Sequence, residues 1–143
     1  MNPQGGCYFE DIAVGDEAVQ RRTVTEADIL AFAAASGDFN PVHFDEDFAR
    51  STPFAGRIAH GMLSASHFSA LLGMRLPGPG AIYLSQSLAF KRPVRIGDTV
   101  SARVRVIAID EAKARVTLAC VAEVGGKTVI DGEAVVMAPR KPA

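Results

Sequence analysis

The chain is short of several things, and each shortage removes a class of protein. It has no tryptophan and only two cysteines in 143 residues, Cys7 and Cys120. Neither lies in a C-x-x-C or other metal-ligand spacing, and a chain of this length buries a core without disulfide staples. Both are therefore expected as reduced thiols of a cytoplasmic protein. Charge of one sign is also missing: 15 Lys and Arg stand against 16 Asp and Glu, for a net charge of -1. That balance does not mark a nucleic-acid binder. No apolar run approaches the roughly 20 residues needed to span a bilayer. Residues 1–6 lack the basic and apolar stretches of a leader peptide. Repeats, low-complexity tracts and linkers are absent as well. What remains is ordinary globular usage, 48% hydrophobic and 22% charged, at the length of one domain. Residues 1–143 are read as a single domain.

The first half reads as helix and loop, the second as strands. Residues 17–24 form a candidate strand entered through the Val14-Gly15-Asp16 turn. Thr25 then has the character of a helix N-cap whose hydroxyl accepts from the Asp28 N–H, with Glu26 and Asp28 suiting the positive helix end. Ile29, Leu30, Phe32 and Ala33 offer an apolar face, and Gly37 stops the helix. An irregular stretch, 38–56, holds a short helix around 46–51. Residues 62–72 are helical in pattern and apolar on nearly all sides, with few charges between Ile58 and Met74, as in a buried helix. After Pro77-Gly78-Pro79-Gly80 the period changes to two. Residues 81–90 read as one strand. In 99–109, Val100, Ala102, Val104 and Val106 alternate with Ser101, Arg103 and Arg105. Ala114, Val116, Leu118 and Cys120 alternate with Lys113, Arg115, Thr117 and Ala119. Gly125-Gly126 turns a hairpin into a last strand, 128–137. The expectation is an α+β architecture: an antiparallel sheet of about five strands wrapped around one long central helix, the hot-dog arrangement. Residues 1–6 and 140–143 are expected to be disordered.

Chemistry concentrates in Ser36-Gly37-Asp38-Phe39-Asn40-Pro41-Val42-His43. Proline fixes its own torsion and pushes Asn40 toward an extended state. Asn40 can bond nearby backbone and hold the turn. A stiff loop is what an acid/base pair needs, because proton transfer demands distances of about 2.6–3.2 Å. Spacing alone leaves two readings of Asp38 and His43: a catalytic pair, or surface groups in a satisfied hydrogen bond. A second segment, Ile58-Ala59-His60-Gly61-Met62-Leu63, places a glycine at the start of the buried helix. There a ligand can approach unpaired N–H groups, and the helix dipole favours a developing negative oxygen. A tight helix entry would need the same glycine.

The 36–43 stretch resembles the signature of the MaoC-like family, the (R)-specific enoyl-CoA hydratases with a hot-dog fold. The 58–63 segment is similar to that family's entry into its central helix. The run Ile82-Tyr83-Leu84-Ser85-Gln86-Ser87-Leu88-Ala89-Phe90, then Lys91-Arg92-Pro93-Val94 and Ile96-Gly97-Asp98, resembles its next strand and turn. The resemblance implies that Asp38 and His43 hold one water, which adds across a trans-2-enoyl-CoA to give an (R)-3-hydroxyacyl-CoA, reversibly. It implies that the Gly61 N–H stabilises the enolate. It also implies that Ser69 and Leu72 face the acyl pocket, with Met137 contributing to its size. Ser69 would support His43 through a hydrogen bond; otherwise it eases helix packing. No metal and no separate cofactor are expected, CoA being part of the substrate. The expected partners are acyl-CoA and a second copy in a homodimer, with no nucleic acid and no membrane.

Other residues carry weaker signals. His60 is expected to order the helix entry, and His67 to pack or reach solvent. Asp45 and Asp47 are expected to cap or solvate the short helix. Lys91, Arg92 and Arg95 either meet the phosphates of CoA or form a solvated edge beside a turn. Rival functions on the same fold are a 3-hydroxyacyl-thioester dehydratase of lipid synthesis, an acyl-thioesterase, and a non-catalytic acyl-binding subunit. The D-x-N-P-x-H loop argues against the last two.

Overall fold

In the computed structural model, which describes residues 2–143, the period-two pattern of the second half becomes a single antiparallel sheet. The elements run β1 (Glu17–Thr23), α1 (Glu26–Ser36), α2 (Pro41–Phe44), α3 (Glu46–Arg50), α4 (Gly61–Met74), β2 (Ile82–Gln86), β3 (Ala89–Phe90), β4 (Thr99–Asp110), β5 (Arg115–Val124) and β6 (Lys127–Met137). Strand order is β1-β4-β5-β6-β2, with β3 also paired to β6. The expected α+β arrangement holds, with six strands rather than about five.

The extra strand has a local cause. Residues 81–90 do not run straight, because β2 and β3 pair with β6 on either side of a break at Ser87-Leu88. There the chain crosses β6 at Gly132. A Cβ on Gly132 would lie 1.9 Å from the Ser87 carbonyl oxygen, which no side chain tolerates. Ser87 compensates for the broken ladder: its N–H donates to the Glu133 carbonyl (2.8 Å), and its Oγ accepts from the Glu133 N–H (2.9 Å).

Alternation decides what faces inward. Val100, Ala102, Val104 and Val106 of β4 are buried, as are Val116, Leu118, Cys120 and Ala122 of β5. Against them lies α4, whose Ser64, Ala65, His67, Phe68, Leu71 and Leu72 are buried. Burying Phe68, Leu71 and Leu72 contributes about 1.5–3 kcal/mol each, relative to exposure. The helix is not buried all round: Met62, Ser66, Ser69 and Gly73 form an exposed stripe along it.

The helix ends follow sequence chemistry. Thr25 Oγ1 accepts from the Asp28 N–H, and Asp28 answers by accepting from the Thr25 N–H, a reciprocal capping box. Gly37 closes α1 at φ 83°. On α1 the buried face is Ile29 and Ala33, with Leu30 exposed and Phe32 half-buried, so the inward stripe is narrower than expected. Cys7 and Cys120 are unpaired. The chain ends depart from the expected disorder, apart from Met1, which lies outside the described residues. Asn2 is buried and its Oδ1 accepts from the Gln4 and Gly6 N–H groups. At the other end, Lys141 pairs with Asp11, and its N–H donates to Glu10. Among the described residues, no helix is long and apolar enough to cross a membrane.

Replacing Gly132 with alanine sets a methyl group against the Ser87 backbone rather than against a mobile side chain. Urea denaturation is expected to show a loss of roughly 2–4 kcal/mol, at the severe end for one methyl group, because the β2–β3 crossing must shift.

Candidate active site

Asp38 follows the left-handed Gly37 and is held by its neighbours. Its N–H donates to Ser36 Oγ, and its Oδ1 accepts from the Asn40 N–H, both at 3.1 Å. Asn40 caps α2: its Oδ1 accepts from the Val42 N–H, and Pro41, which has no N–H to satisfy, takes the first helical position. The sequence showed this stretch as irregular, and the single helical turn was missed because four residues carry no periodicity. That turn carries His43 inward, where it is 7% exposed.

The ring orientation of His43 comes from a backbone carbonyl. His43 Nδ1 lies 2.8 Å from the Ile58 oxygen. A carbonyl only accepts, so Nδ1 carries the hydrogen and Nε2 keeps its lone pair. That bare Nε2 faces Asp38 Oδ2 at 4.0 Å. Two acceptors at this separation do not bond each other. One water donating to both, through hydrogen bonds of about 2.8 Å, spans such a gap. Burial holds the His43 pKa below its ordinary value; the Ile58 carbonyl and Asp38 raise it, and His60 and Arg57 lower it. The group is thus a neutral acceptor at neutral pH. Asp38 is different in kind, with a side chain 49% exposed.

These groups open onto a cavity of about 410 Å³, lined also by Phe54, His60, Gly61, Met62, Phe90 and Ile130. Gly61 opens α4, and no side chain caps that helix end. The Leu63 N–H turns back to the His60 carbonyl, whereas the Gly61 N–H at the first helical position has no intrahelical partner, and the positive end of the helix dipole adds to it. A Cβ on Gly61 would come within 2.7 Å of the Phe90 ring. Glycine therefore lets Phe90 close over the helix end.

The site is tied to the rest of the chain by arginines. Arg57 Nε donates to the His43 carbonyl (2.7 Å), and its Nη2 grips Glu26 of α1. Arg95 donates to the carbonyls of Arg57 and Phe54. Arg95 thus braces the loop, and of the two alternatives for it the phosphate contact is the one this geometry does not favour. Arg92 donates to the Thr128 carbonyl, and Lys91 and Arg92 both line the cavity.

Other expected residues fall elsewhere. Ser69 is on the exposed stripe of α4 and makes no hydrogen bond to His43, whose Nδ1 is taken by Ile58. Leu72 is in the core, Met137 is half-buried against it, and neither lines the cavity. His67 faces β1 and bonds Gln20 at 2.9 Å, away from the cavity. Asp45 caps α3 and Asp47 pairs with Arg50. The sequence reading missed Ile58, which acts through its carbonyl, and Ser64, a buried hydroxyl in the cavity wall. A carbonyl is common to every residue, so no pattern signals it.

Asp38, His43 and His60 bring donor atoms within 4.8 Å of one another, close enough to suggest a cation. The rings of His43 and His60, however, are stacked, with centroids 3.8 Å apart and planes at 28°. A metal ion lies in the plane of each imidazole it binds, and lone pairs on stacked rings run side by side rather than converging. His60 Nε2 is also committed to the Asp38 carbonyl oxygen at 2.9 Å. The set suits a water better than an ion.

Comparison with known proteins finds relatives over most of the chain. The family model described as "MaoC like domain" matches residues 12–133. The chain is 56% identical over 134 residues to an (R)-specific enoyl-CoA hydratase of Rhodospirillum rubrum, covering 94% of this chain and 93% of the relative. It is 48% identical to a 3-hydroxybutyryl-CoA dehydratase of Methylorubrum extorquens, covering 94% and 85%. Among solved structures, the (R)-hydratase of Aeromonas caviae involved in PHA biosynthesis superposes with a TM-score of 0.88 at 49% identity, covering 91% and 99%.

The electrostatics give a test independent of turnover. The His43 ring, followed by NMR, is expected to titrate below the ordinary midpoint of about 6.5. Asp38 pulls that midpoint upward, so Asp38→Asn is expected to lower it further. A rise in that variant would contradict the arrangement described.

Proposed function

The chain belongs to the MaoC-like domain family, and on that premise we propose that it is an (R)-specific enoyl-CoA hydratase, a hydro-lyase. The observation that carries the mechanism is the 4.0 Å gap between His43 Nε2 and Asp38 Oδ2. A water there donates one hydrogen to each acceptor, which aims its own lone pair away from both, toward the cavity. The water oxygen bonds C3 of the trans-2-enoyl thioester as one of the pair takes its proton. The C2=C3 π electrons move onto the thioester oxygen as an enolate. The enolate collapses as the pair delivers a proton to C2 from the same face. Water is added, the pair regains its starting protonation, and (R)-3-hydroxyacyl-CoA leaves. The two groups share one proton inventory across the cycle.

The uncapped start of α4 supports the enolate step: the Gly61 N–H would donate to the thioester oxygen, where charge develops. One such donor is worth roughly 10²–10³ in rate in other enzymes. Neither a metal nor a separate cofactor enters this scheme, CoA being carried by the substrate. Lys91 at the cavity mouth offers a cation to the CoA phosphates. A cytoplasmic location follows from the same reading, and nucleic acid and membrane have no part in it.

The partner in this reading is a second copy. The order β1-β4-β5-β6-β2 leaves β2 on a sheet edge, where Ile82 is 53% and Leu84 41% exposed. Met62 and Phe90, both at the cavity, are each 53% exposed. Exposed apolar edges are normally covered. A homodimer would cover this one together with the α4 stripe that carries Ser69. Light scattering is expected to give twice the 15.1 kDa chain mass, and Leu84→Lys to shift it toward one chain mass. A native protein that stays at one chain mass would remove the dimer from this reading.

Crotonyl-CoA is expected to lose its enoyl absorbance in the presence of the native protein. Asp38→Asn and His43→Gln should each lower kcat by roughly 10²–10⁴, and the double variant should not lose the product of the two factors. A folded native protein inert toward both crotonyl-CoA and longer enoyl-CoAs would sink the hydratase reading.

A further inference from the structure

The site holds a buried histidine that the proposed reaction does not use. His60 is 2% exposed, between the loop that carries Asp38 and the turn that carries His43. Its Nε2 is 2.9 Å from the Asp38 main-chain oxygen, so Nε2 bears the hydrogen and donates. Its ring stacks on His43 at 3.8 Å. One side chain therefore touches both members of the acid/base pair, the backbone of one and the ring of the other.

The ring is walled in on further sides. Phe32 of α1 lies 4.9 Å away, centroid to centroid, and Phe44 of α2 meets it edge-on at 6.2 Å. These contacts would suit a phenylalanine equally well. A histidine here leaves Nδ1 buried with no hydrogen-bond partner among the described residues, a condition shared by Ser64 Oγ one turn along α4. An unpaired buried nitrogen lowers stability, which packing alone does not recover. What the histidine alone supplies is the Nε2–H that holds Asp38. Asp38 needs holding, because its loop is exposed and its carboxylate must keep a fixed distance from His43.

We propose that His60 is a positioning residue for hydration, setting the gap between Asp38 Oδ2 and His43 Nε2 by anchoring the Asp38 backbone and backing the His43 ring. The proposal rests on the hydratase reading for its kinetic consequence, and on geometry alone for its effect on His43. The titratable and charged groups around His43 are Asp38, His60 and Arg57, so removing His60 changes one of three.

Two substitutions separate its two contacts. His60→Phe keeps a ring against His43 and deletes the donor; His60→Gln keeps a donor and deletes the stack. With crotonyl-CoA, both are expected to lose about tenfold to a hundredfold in kcat, the scale of an ångström's misplacement, with KM within about threefold of native. NMR titration is expected to show the His43 midpoint rising in both, because His60 lowers it, and rising further in His60→Gln, where water also reaches the uncovered ring. His67→Gln, a buried histidine changed outside the cavity, is expected to keep native kcat. Native kcat in both His60 variants with an unmoved His43 midpoint would overturn the proposal. So would a loss confined to KM, or an equal kcat loss in His67→Gln. If the native protein is inert toward enoyl-CoA, the hydratase reading fails, and the difference between the His43 midpoints of His60→Gln and His60→Phe still decides the positioning role. The native protein provides a check that needs no variant: ¹⁵N shifts should show His60 as the Nε2–H tautomer. The Nδ1–H tautomer would overturn the proposal.

Discussion

One hydrogen bond governs the chemistry of this chain: the 2.8 Å contact in which His43 Nδ1–H donates to the Ile58 carbonyl. It chooses the tautomer, and the tautomer decides that Nε2 and Asp38 Oδ2 face each other as two acceptors. Without it the ring could turn its N–H toward Asp38, and the pair would satisfy itself with no place for water. The carbonyl is fixed because its segment is clamped on both sides. The Ile58 N–H donates to Val42, and the Ala59 N–H donates to Val94 at 2.6 Å. Arg57 then returns from the same segment to hold the His43 carbonyl. The site is a crossing of two irregular stretches locked by backbone bonds. Such an arrangement holds a proton acceptor more firmly than a free loop does.

At two glycines a close approach bears on the site. At Gly132 the β2–β3 break crosses β6, and at Gly61 the Phe90 ring lies over the start of α4. The two are linked through the chain, since Phe90 ends β3, the strand placed by the crossing at Gly132. A sheet defect outside the Asp38 loop thus determines where one wall of the cavity stands. This explains how an irregularity on the sheet edge bears on chemistry at the helix terminus.

Much of this was legible in the residues, for physical reasons that differ from place to place. The alternation of Val100, Ala102, Val104 and Val106 showed which face of β4 is buried, because side chains on a strand have a period of two. Thr25 and Gly37 marked the ends of α1, because caps use a small set of residue types. Asn40 and Pro41 announced a stiff loop, and the stretch from Asp38 to His43 carried the family resemblance. The β2–β3 break was not legible: Ser87 and Gly132 meet only in three dimensions, 45 residues apart by their numbering, and a glycine within a strand does not say which backbone approaches it. Nor was the role of Ile58, which acts through backbone. The exposed stripe of Ser66, Ser69 and Gly73 was hidden by composition, since small residues on a helix read as buried whichever way they face.

The environments of Asp38 and His43 also differ in a way that suits a reversible reaction. Burial penalises a charged His43, so the ring stays a neutral acceptor until a proton arrives. Asp38 is half exposed, and water can stabilise its charge between turnovers. A proton on His43 places an imidazolium within reach of a carboxylate. That attraction strengthens only once the proton has moved, and so favours the charge-separated stage over the resting one. A pair buried alike would bind each other in the resting state and exclude the water. A pair exposed alike would hold the water no more firmly than solvent does. The asymmetry arises from local sequence: one member follows an exposed glycine turn, and the other is carried into the core on a single proline-started helical turn. Asn40 and Pro41, between them, produce the change from one environment to the other.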